Sequence, residues 1–159
     1  MAKRGSFRGN SDKEEVTEAE LLSKAENYCA RAEHCADEVK TKVLQWGGDS
    51  SIAEHIIERL YENHFLDDAR YCHAYTHDKL LYQHWGKVKI RMMLSSKHLP
   101  EEQIRAAIDE IDEEEYARIL RDTAAQKKNA EREALIRFLL QRGFEYQEIC
   151  KAIIIMHNA

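Results

Sequence analysis

Clustered carboxylates are the first candidates for chemistry in this sequence. Asp109, Glu110 and the run from Asp112 to Glu115 place six acids within seven residues. General acid–base catalysis by such groups needs a pocket that perturbs their pKa values. No nucleophile elbow, P-loop or dinucleotide-binding motif accompanies them in the sequence. We expect these acids to mark a junction between two helices, and we expect no enzymatic activity.

Histidine and cysteine are the residues that could hold a metal. His73 and His77 lie four apart, so a helix would present them on one face, as zinc sites require. However, no glutamate follows His73, and the spacing of Cys29 and Cys35 does not suit a zinc knuckle. We expect neither a metal nor a cofactor, and we expect the cysteines to be reduced thiols in the cytoplasm.

A basic segment is the stronger functional signal. The stretch from Lys79 to Pro100 contains no acid but five cations, namely Lys79, Lys87, Lys89, Arg91 and Lys97. On a helix that begins at Lys87, Val88 and Met92 point away from the apolar stripe and have cations beside them. This pattern indicates a surface that contacts a partner carrying phosphates. The alternative is that Val88 and Met92 pack on a neighbouring unit and the charges are only solvated.

A second basic zone follows around Arg132 and Arg142. Lys87 and Arg132 occupy equivalent places 45 residues apart, as do Lys97 and Arg142. Stacked repeats could align these charges into a discontinuous positive stripe that binds a polyanion. The net charge is nevertheless −5. We therefore expect weak or no binding to free DNA.

A repeated apolar pattern predicts the elements that position these residues. Seven positions recur 45 residues later: Ile90, Met93, Leu94, Leu99, Ile104, Ala107 and Ile108 match Leu135, Phe138, Leu139, Phe144, Ile149, Ala152 and Ile153. Weaker matches extend the pattern back to Val39. Repeats of this length predict an all-α fold of tandem three-helix units, about nine helices in three units, stacked into an elongated, curved array.

The boundaries of the tail and the repeats follow from residues that cap or interrupt helices. We predict a disordered tail over 1–15 and helical repeats over 16–66, 67–111 and 112–159. Thr17, Ser51, Asp67 and Asp112 are the predicted N-terminal caps. Pro100 is predicted to be the first residue of a helix. No stretch is long and apolar enough to span a membrane.

Three short motifs, one before the basic segment and two within it, resemble those of the RecX family, regulators of the RecA recombinase. The resemblance rests on Phe65-Leu66-Asp67-Asp68-Ala69-Arg70-Tyr71, then Trp85-Gly86-Lys87-Val88-Lys89-Ile90, then Leu94-Ser95-Ser96-Lys97-His98-Leu99. It covers about residues 21–157. His98 stands where the family pattern has glycine, which puts the shape of this turn in question.

The resemblance implies a non-catalytic monomer that binds in the groove of the RecA–single-stranded DNA filament and modulates, most simply inhibits, its growth during recombination and DNA repair. Among the matched positions, it favours Lys89 and Lys97 as contacts. The alternative is a helical adaptor that binds another protein without nucleic acid, with Val88 and Met92 as anchors.

Overall fold

The computed structural model describes residues 15–158, which form nine α-helices and no strand. The helices are α1 (Glu18–Arg31), α2 (Ala36–Gln45), α3 (Ser50–Glu62), α4 (Asp68–Leu81), α5 (Lys87–Ser96), α6 (Glu101–Asp109), α7 (Glu113–Ala125), α8 (Arg132–Gln141) and α9 (Tyr146–His157). The all-α prediction is confirmed. Residues 1–14, where most of the predicted tail lies, are outside this description. None of the nine helices is long and apolar enough to cross a bilayer.

Local capping explains where several helices begin. Thr17, Asp67 and Asp112 each accept a hydrogen bond from the backbone N–H three residues later, as predicted. The prediction for Ser51 is wrong, because Asp49 accepts from the N–H of Ile52 at 2.8 Å and α3 already begins at Ser50. Pro100 precedes α6 as its cap and is not its first residue.

The helices pack in consecutive groups of three, which we call the first unit (α1–α3), the second unit (α4–α6) and the third unit (α7–α9). The repeated apolar positions line the interior, as the sequence predicts. Ile90, Leu94 and Ile104 are fully buried in the second unit, and Leu139 and Ile149 are fully buried at equivalent places in the third. The three-helix repeat is therefore confirmed, while the exact repeat boundaries stay a prediction.

The buried residues form two clusters of unequal reach. One cluster is confined to the first unit and the segment after it, from Leu21 to Leu66. The other spans the second and third units, from Tyr71 to Ile153. Cys35 is the only described residue of the first unit that belongs to this larger cluster. The second and third units thus share a continuous core, and the first unit has its own.

A left-handed residue follows the second helix of every unit. Gly47 and Gly143 have φ angles of 100° and 96°, and His98 occupies the corresponding place with φ 60°. Histidine therefore preserves the turn that glycine makes in the other two units. The expectation that His98 could alter this turn is not fulfilled, although a residue with a Cβ atom is strained in this conformation.

Candidate functional site

Trp85 lies between two lysines at the turn from α4 to α5. Lys79 is in the last turn of α4 and Lys89 is in the first turn of α5. Their Nζ atoms lie 4.8 Å and 4.3 Å from the centroid of the Trp85 ring. The turn is held by the backbone N–H of Trp85, which donates to the backbone carbonyl of Lys79 at 3.0 Å. Two cations therefore lie close to one aromatic ring.

The cluster continues along α4 through Tyr75. Its ring lies 5.3 Å from Lys79 Nζ and 5.9 Å from Lys97 Nζ, and it meets the Trp85 ring edge to face at 6.5 Å. We call this set the Trp85 face: Tyr75, Lys79, Trp85, Lys89 and Lys97. All five side chains are half-buried, so each is held by packing and is still reached by solvent. Cations interleaved with aromatic rings suit single-stranded nucleic acid, since lysines attract phosphates and rings stack on bases.

Carboxylates outside the acid-free segment neutralise other cations within it. Lys87 Nζ lies 2.8 Å from Glu113, and Arg91 Nη1 lies 2.6 Å from Glu101. Lys87 also lies 4.5 Å from the centroid of the Tyr116 ring. Within residues 15–158, neither Lys79 nor Lys89 forms such an ion pair. The candidate cations thus fall into a group paired with carboxylates and a group packed on aromatic rings, and Lys87 belongs to both.

Lys97 belongs to both groups because it also contacts Glu38 of α2 at 3.3 Å. Glu38 accepts a second hydrogen bond from the Tyr71 hydroxyl at 2.6 Å, and its other oxygen lies 2.5 Å from His34 Nδ1. Burial by itself raises the pKa of Glu38, but these three partners outweigh it and hold the pKa below its ordinary value. Burial and the bond to Glu38 both raise the pKa of Tyr71.

The two arginines predicted to extend the positive stripe lie in different surroundings. Arg142 Nη2 donates to the carbonyl of Gln83 and so joins the third unit to the turn before α5. Arg132 lines a cavity of about 270 Å³ within the third unit, together with Lys128 and His157. Charged residues at equivalent positions of the repeats therefore do not make the same kind of contact.

Val88 and Met92 are exposed to 48% and 62%. The alternative that they pack on a neighbouring unit is therefore wrong. Together with Arg91 they line an open recess on α5. They form a small apolar surface that is available to a partner.

The groups considered for metal binding and redox chemistry have other partners. His73 Nδ1 lies 3.2 Å from Glu110, and His77 lies 3.7 Å from its neighbour Asp78. Residues 15–158 contain no cluster of three or more histidine, cysteine, aspartate or glutamate side chains arranged to hold a metal ion. Burial raises the pKa of the Cys29 and Cys72 thiols to about 11, which keeps them protonated at neutral pH.

Sequence reasoning missed Tyr75 and Trp85 as members of the site. The prediction rested on cations and exposed apolar residues, so it assigned no partner contact to either aromatic ring. The signal that could have found them is the spacing of Tyr75 and Lys79, which are four apart and therefore neighbours on α4. The approach of both Lys79 and Lys89 to the Trp85 ring depends on the turn and is not visible in the helical periodicity.

Fold and site together define a class, that of all-helical repeat proteins with a basic, aromatic surface. Residues 67–108 match the family model of the second three-helix domain of RecX. The chain is 32% identical over 129 residues to the regulatory protein RecX of Leptothrix cholodnii, covering 78% of this chain and 81% of that protein. It is 25% identical over 136 residues to RecX of Leuconostoc mesenteroides, covering 80% of this chain.

The fold is also that of a solved relative. The crystal structure of RecX from Lactobacillus salivarius superimposes with a TM-score of 0.75 at 17% identity, over 89% of this chain and 97% of that one. The chain spans only 51% of the length of the Leuconostoc protein. This protein belongs to the RecX family of regulatory proteins.

Proposed function

We propose that this protein regulates homologous recombination and DNA repair by binding the RecA–single-stranded DNA filament and inhibiting its growth. The observation that carries the proposal is the Trp85 face, with Lys79 and Lys89 beside one tryptophan ring. The lysines would contact phosphates, and the Trp85 and Tyr75 rings would contact bases or apolar groups of the recombinase. The family membership supports a regulatory role.

The mechanism proposed is steric occupancy, with no bond made or broken. A protein with net charge −5 is repelled by bare DNA except at a local basic patch. A filament offers both protein surface and phosphates, so the two kinds of contact would add. We therefore expect the protein to prefer the filament over free DNA. We infer that the protein acts as a cytoplasmic monomer.

The test reverses the two lysines that pack on Trp85. Lys79→Glu/Lys89→Glu removes both cations, whereas reversal of Lys87 or Arg91 would also place like charges beside Glu113 or Glu101 and confuse the result. We expect the double variant to lose co-sedimentation with RecA–DNA filaments and inhibition of strand exchange. Each mutated phosphate contact should also lower the salt dependence of binding by about one unit of slope.

The matched control makes the same charge change elsewhere. Lys40 on α2 and Arg105 on α6 are exposed, and Lys40→Glu/Arg105→Glu should bind and inhibit as the unmodified protein does. Far-ultraviolet circular dichroism should be unchanged in both variants. Retained inhibition by Lys79→Glu/Lys89→Glu, with the filament still bound, would refute the assignment of this face.

A second candidate function rests on the exposure of Val88 and Met92. As a helical adaptor, the protein would use these side chains to bind another protein without nucleic acid. Val88→Ser/Met92→Ser would then abolish capture of that partner, and the capture would survive nuclease treatment and high salt. If the recombinase filament is the partner, nuclease treatment should reduce capture and Lys79→Glu/Lys89→Glu should reduce it further.

A further inference from the structure

The contact between the first and second units is built largely from polar and charged side chains. Three acids of the first unit face three bases of the second: Glu33 with Arg70 at 2.5 Å, Asp37 with His98 at 2.6 Å and Glu38 with Lys97 at 3.3 Å. The acids lie just before α2 and in its first turn. We call these six residues the charged joint.

The other contact between units differs in kind. The second and third units share one apolar core and are also joined by backbone hydrogen bonds from Gly86 to Arg142 and from Val88 to Gly143. Across the charged joint, Cys35 is the only described first-unit residue in the shared core. The first unit is thus attached mainly by ion pairs and by hydrogen bonds from tyrosine hydroxyls, and the other two units are joined by packing.

Partly exposed ion pairs are weak and sensitive to salt. The side chains of Arg70 and Glu33 are exposed to 44% and 30%, and those of His98 and Asp37 to 80% and 45%. Such pairs contribute little individually and are screened by dissolved ions. A shared apolar core does not weaken in this way, since its stability does not depend on Coulomb attraction. Salt should therefore loosen the charged joint before it loosens the contact between the second and third units.

Lys97 connects the joint to the Trp85 face. Its ammonium contacts Glu38 and also lies over the Tyr75 ring. A phosphate held by this lysine would compete with Glu38 for the same charge. We propose that the charged joint is a hinge opened by polyanions, so that binding at the Trp85 face releases the first unit from the rigid pair formed by the second and third units. This proposal rests on the proposed function for the phosphates that occupy the face.

The experiment measures the size of the full-length protein by small-angle X-ray scattering, with no recombinase present. Sodium chloride is raised from about 50 mM to about 500 mM, which shortens the Debye length severalfold. In a second series, sodium tripolyphosphate is added at constant ionic strength. We expect the radius of gyration to increase in both series, while far-ultraviolet circular dichroism stays constant. Hydrogen exchange should accelerate in the first turn of α2 and not in α5 or α8.

Two variants separate the hinge from a general charge effect. Glu33→Gln/Asp37→Asn/Glu38→Gln removes the acids of the joint, so it should be expanded at low salt and respond little to tripolyphosphate. Glu54→Gln/Glu58→Gln/Glu62→Gln makes the same charge change on the exposed side of α3 and should behave as the unmodified protein.

The hinge proposal would be overturned if the radius of gyration changed neither with salt nor with tripolyphosphate. An acid-neutralised variant that is folded, by circular dichroism, and as compact as the unmodified protein at low salt would also overturn it. Neither result involves the recombinase, so filament binding would stand. Conversely, if the proposed function were wrong, the protein would not co-sediment with RecA–DNA filaments, but its radius of gyration would still increase with salt.

Discussion

The backbone of Gly86 lies directly against the backbone of Gly143. The Gly86 N–H donates to the carbonyl of Arg142 at 2.7 Å, and a Cβ atom built on Gly86 would lie 2.3 Å from the carbonyl carbon and oxygen of Gly143. Gly86 has φ −79°, so its requirement is spatial and not conformational. This contact places α5 and the Trp85 turn against the third unit.

Replacing Gly86 by alanine should therefore destabilise the protein. The new methyl group meets backbone atoms, which cannot rotate away, so the second and third units must separate. We expect the free energy of unfolding to fall by about 2 kcal/mol or more. Urea denaturation measures the change.

Gly47→Ala supplies the comparison for this variant. Nothing lies within 4 Å of a Cβ atom at Gly47, so alanine adds only the strain of a positive φ angle. We expect a loss of about 1 kcal/mol, smaller than that for Gly86→Ala. If the two losses were equal, the close contact between Gly86 and Gly143 would have no energetic consequence.

The protein should be more stable with glycine than with alanine in place of His98. Both changes remove the contact between His98 and Asp37, but glycine also relieves the left-handed strain at φ 60°. We expect His98→Gly to exceed His98→Ala in unfolding free energy by about 1 kcal/mol. Because neither variant has the Asp37 contact, the difference between their unfolding free energies, measured by urea denaturation, isolates the backbone effect. Equal stabilities would mean that the turn relaxes in the alanine variant.

Glu38 should make stability depend on pH. Its pKa in the folded protein is lowered, so its carboxylate stabilises the fold above the pKa of the unfolded state. This contribution is lost as the pH falls through the usual glutamate value near 4.5 and then through the lower folded value. Glu38→Gln should be less stable at pH 7, by on the order of 1 kcal/mol, and the difference should shrink below pH 4. Thermal unfolding at several pH values tests this.

The ionised carboxylate of Glu148 should have the opposite effect on stability. Burial first, and then the neighbouring carboxylates of Glu145 and Glu113, raise its pKa, and its Oε2 atom is buried without a hydrogen-bond partner. The charged form therefore weakens the fold at neutral pH. Glu148→Gln should slightly increase the unfolding free energy at pH 7, because solvent screens this partly exposed carboxylate, and the gain should vanish at low pH, where the glutamate is protonated in both states. A decrease at pH 7 would show that Lys87, the nearby cation, stabilises this carboxylate more than burial opposes it.

The sequence predicted the elements well because their signals are local. Thr17, Asp67 and Asp112 cap helices through a backbone N–H only three residues away, so short segments contain all the information needed. The Ser51 prediction failed for a related reason. Two capping residue types lie close together after Gly47–Gly48, and the geometry of that turn selects Asp49.

The candidate site was predicted only in part. Lys79, Lys89 and Lys97 were chosen because the segment around them lacks acids. Some of the acids that neutralise the segment come from far along the chain, since Glu38 and Lys97 are 59 residues apart. A linear charge count cannot report such a pairing.

Sequence alone determined that this is an all-helical protein of repeated three-helix units, because apolar residues recur at helical spacing and several helices carry their own N-terminal caps. The tertiary structure decided which cations remain available to a partner and which are bound by carboxylates. It also decided that two units share a core while the first is attached mainly by ion pairs and hydrogen bonds. The physical reason is that helix formation depends on neighbours within one or two turns, whereas electrostatic pairing depends on distances that only packing creates.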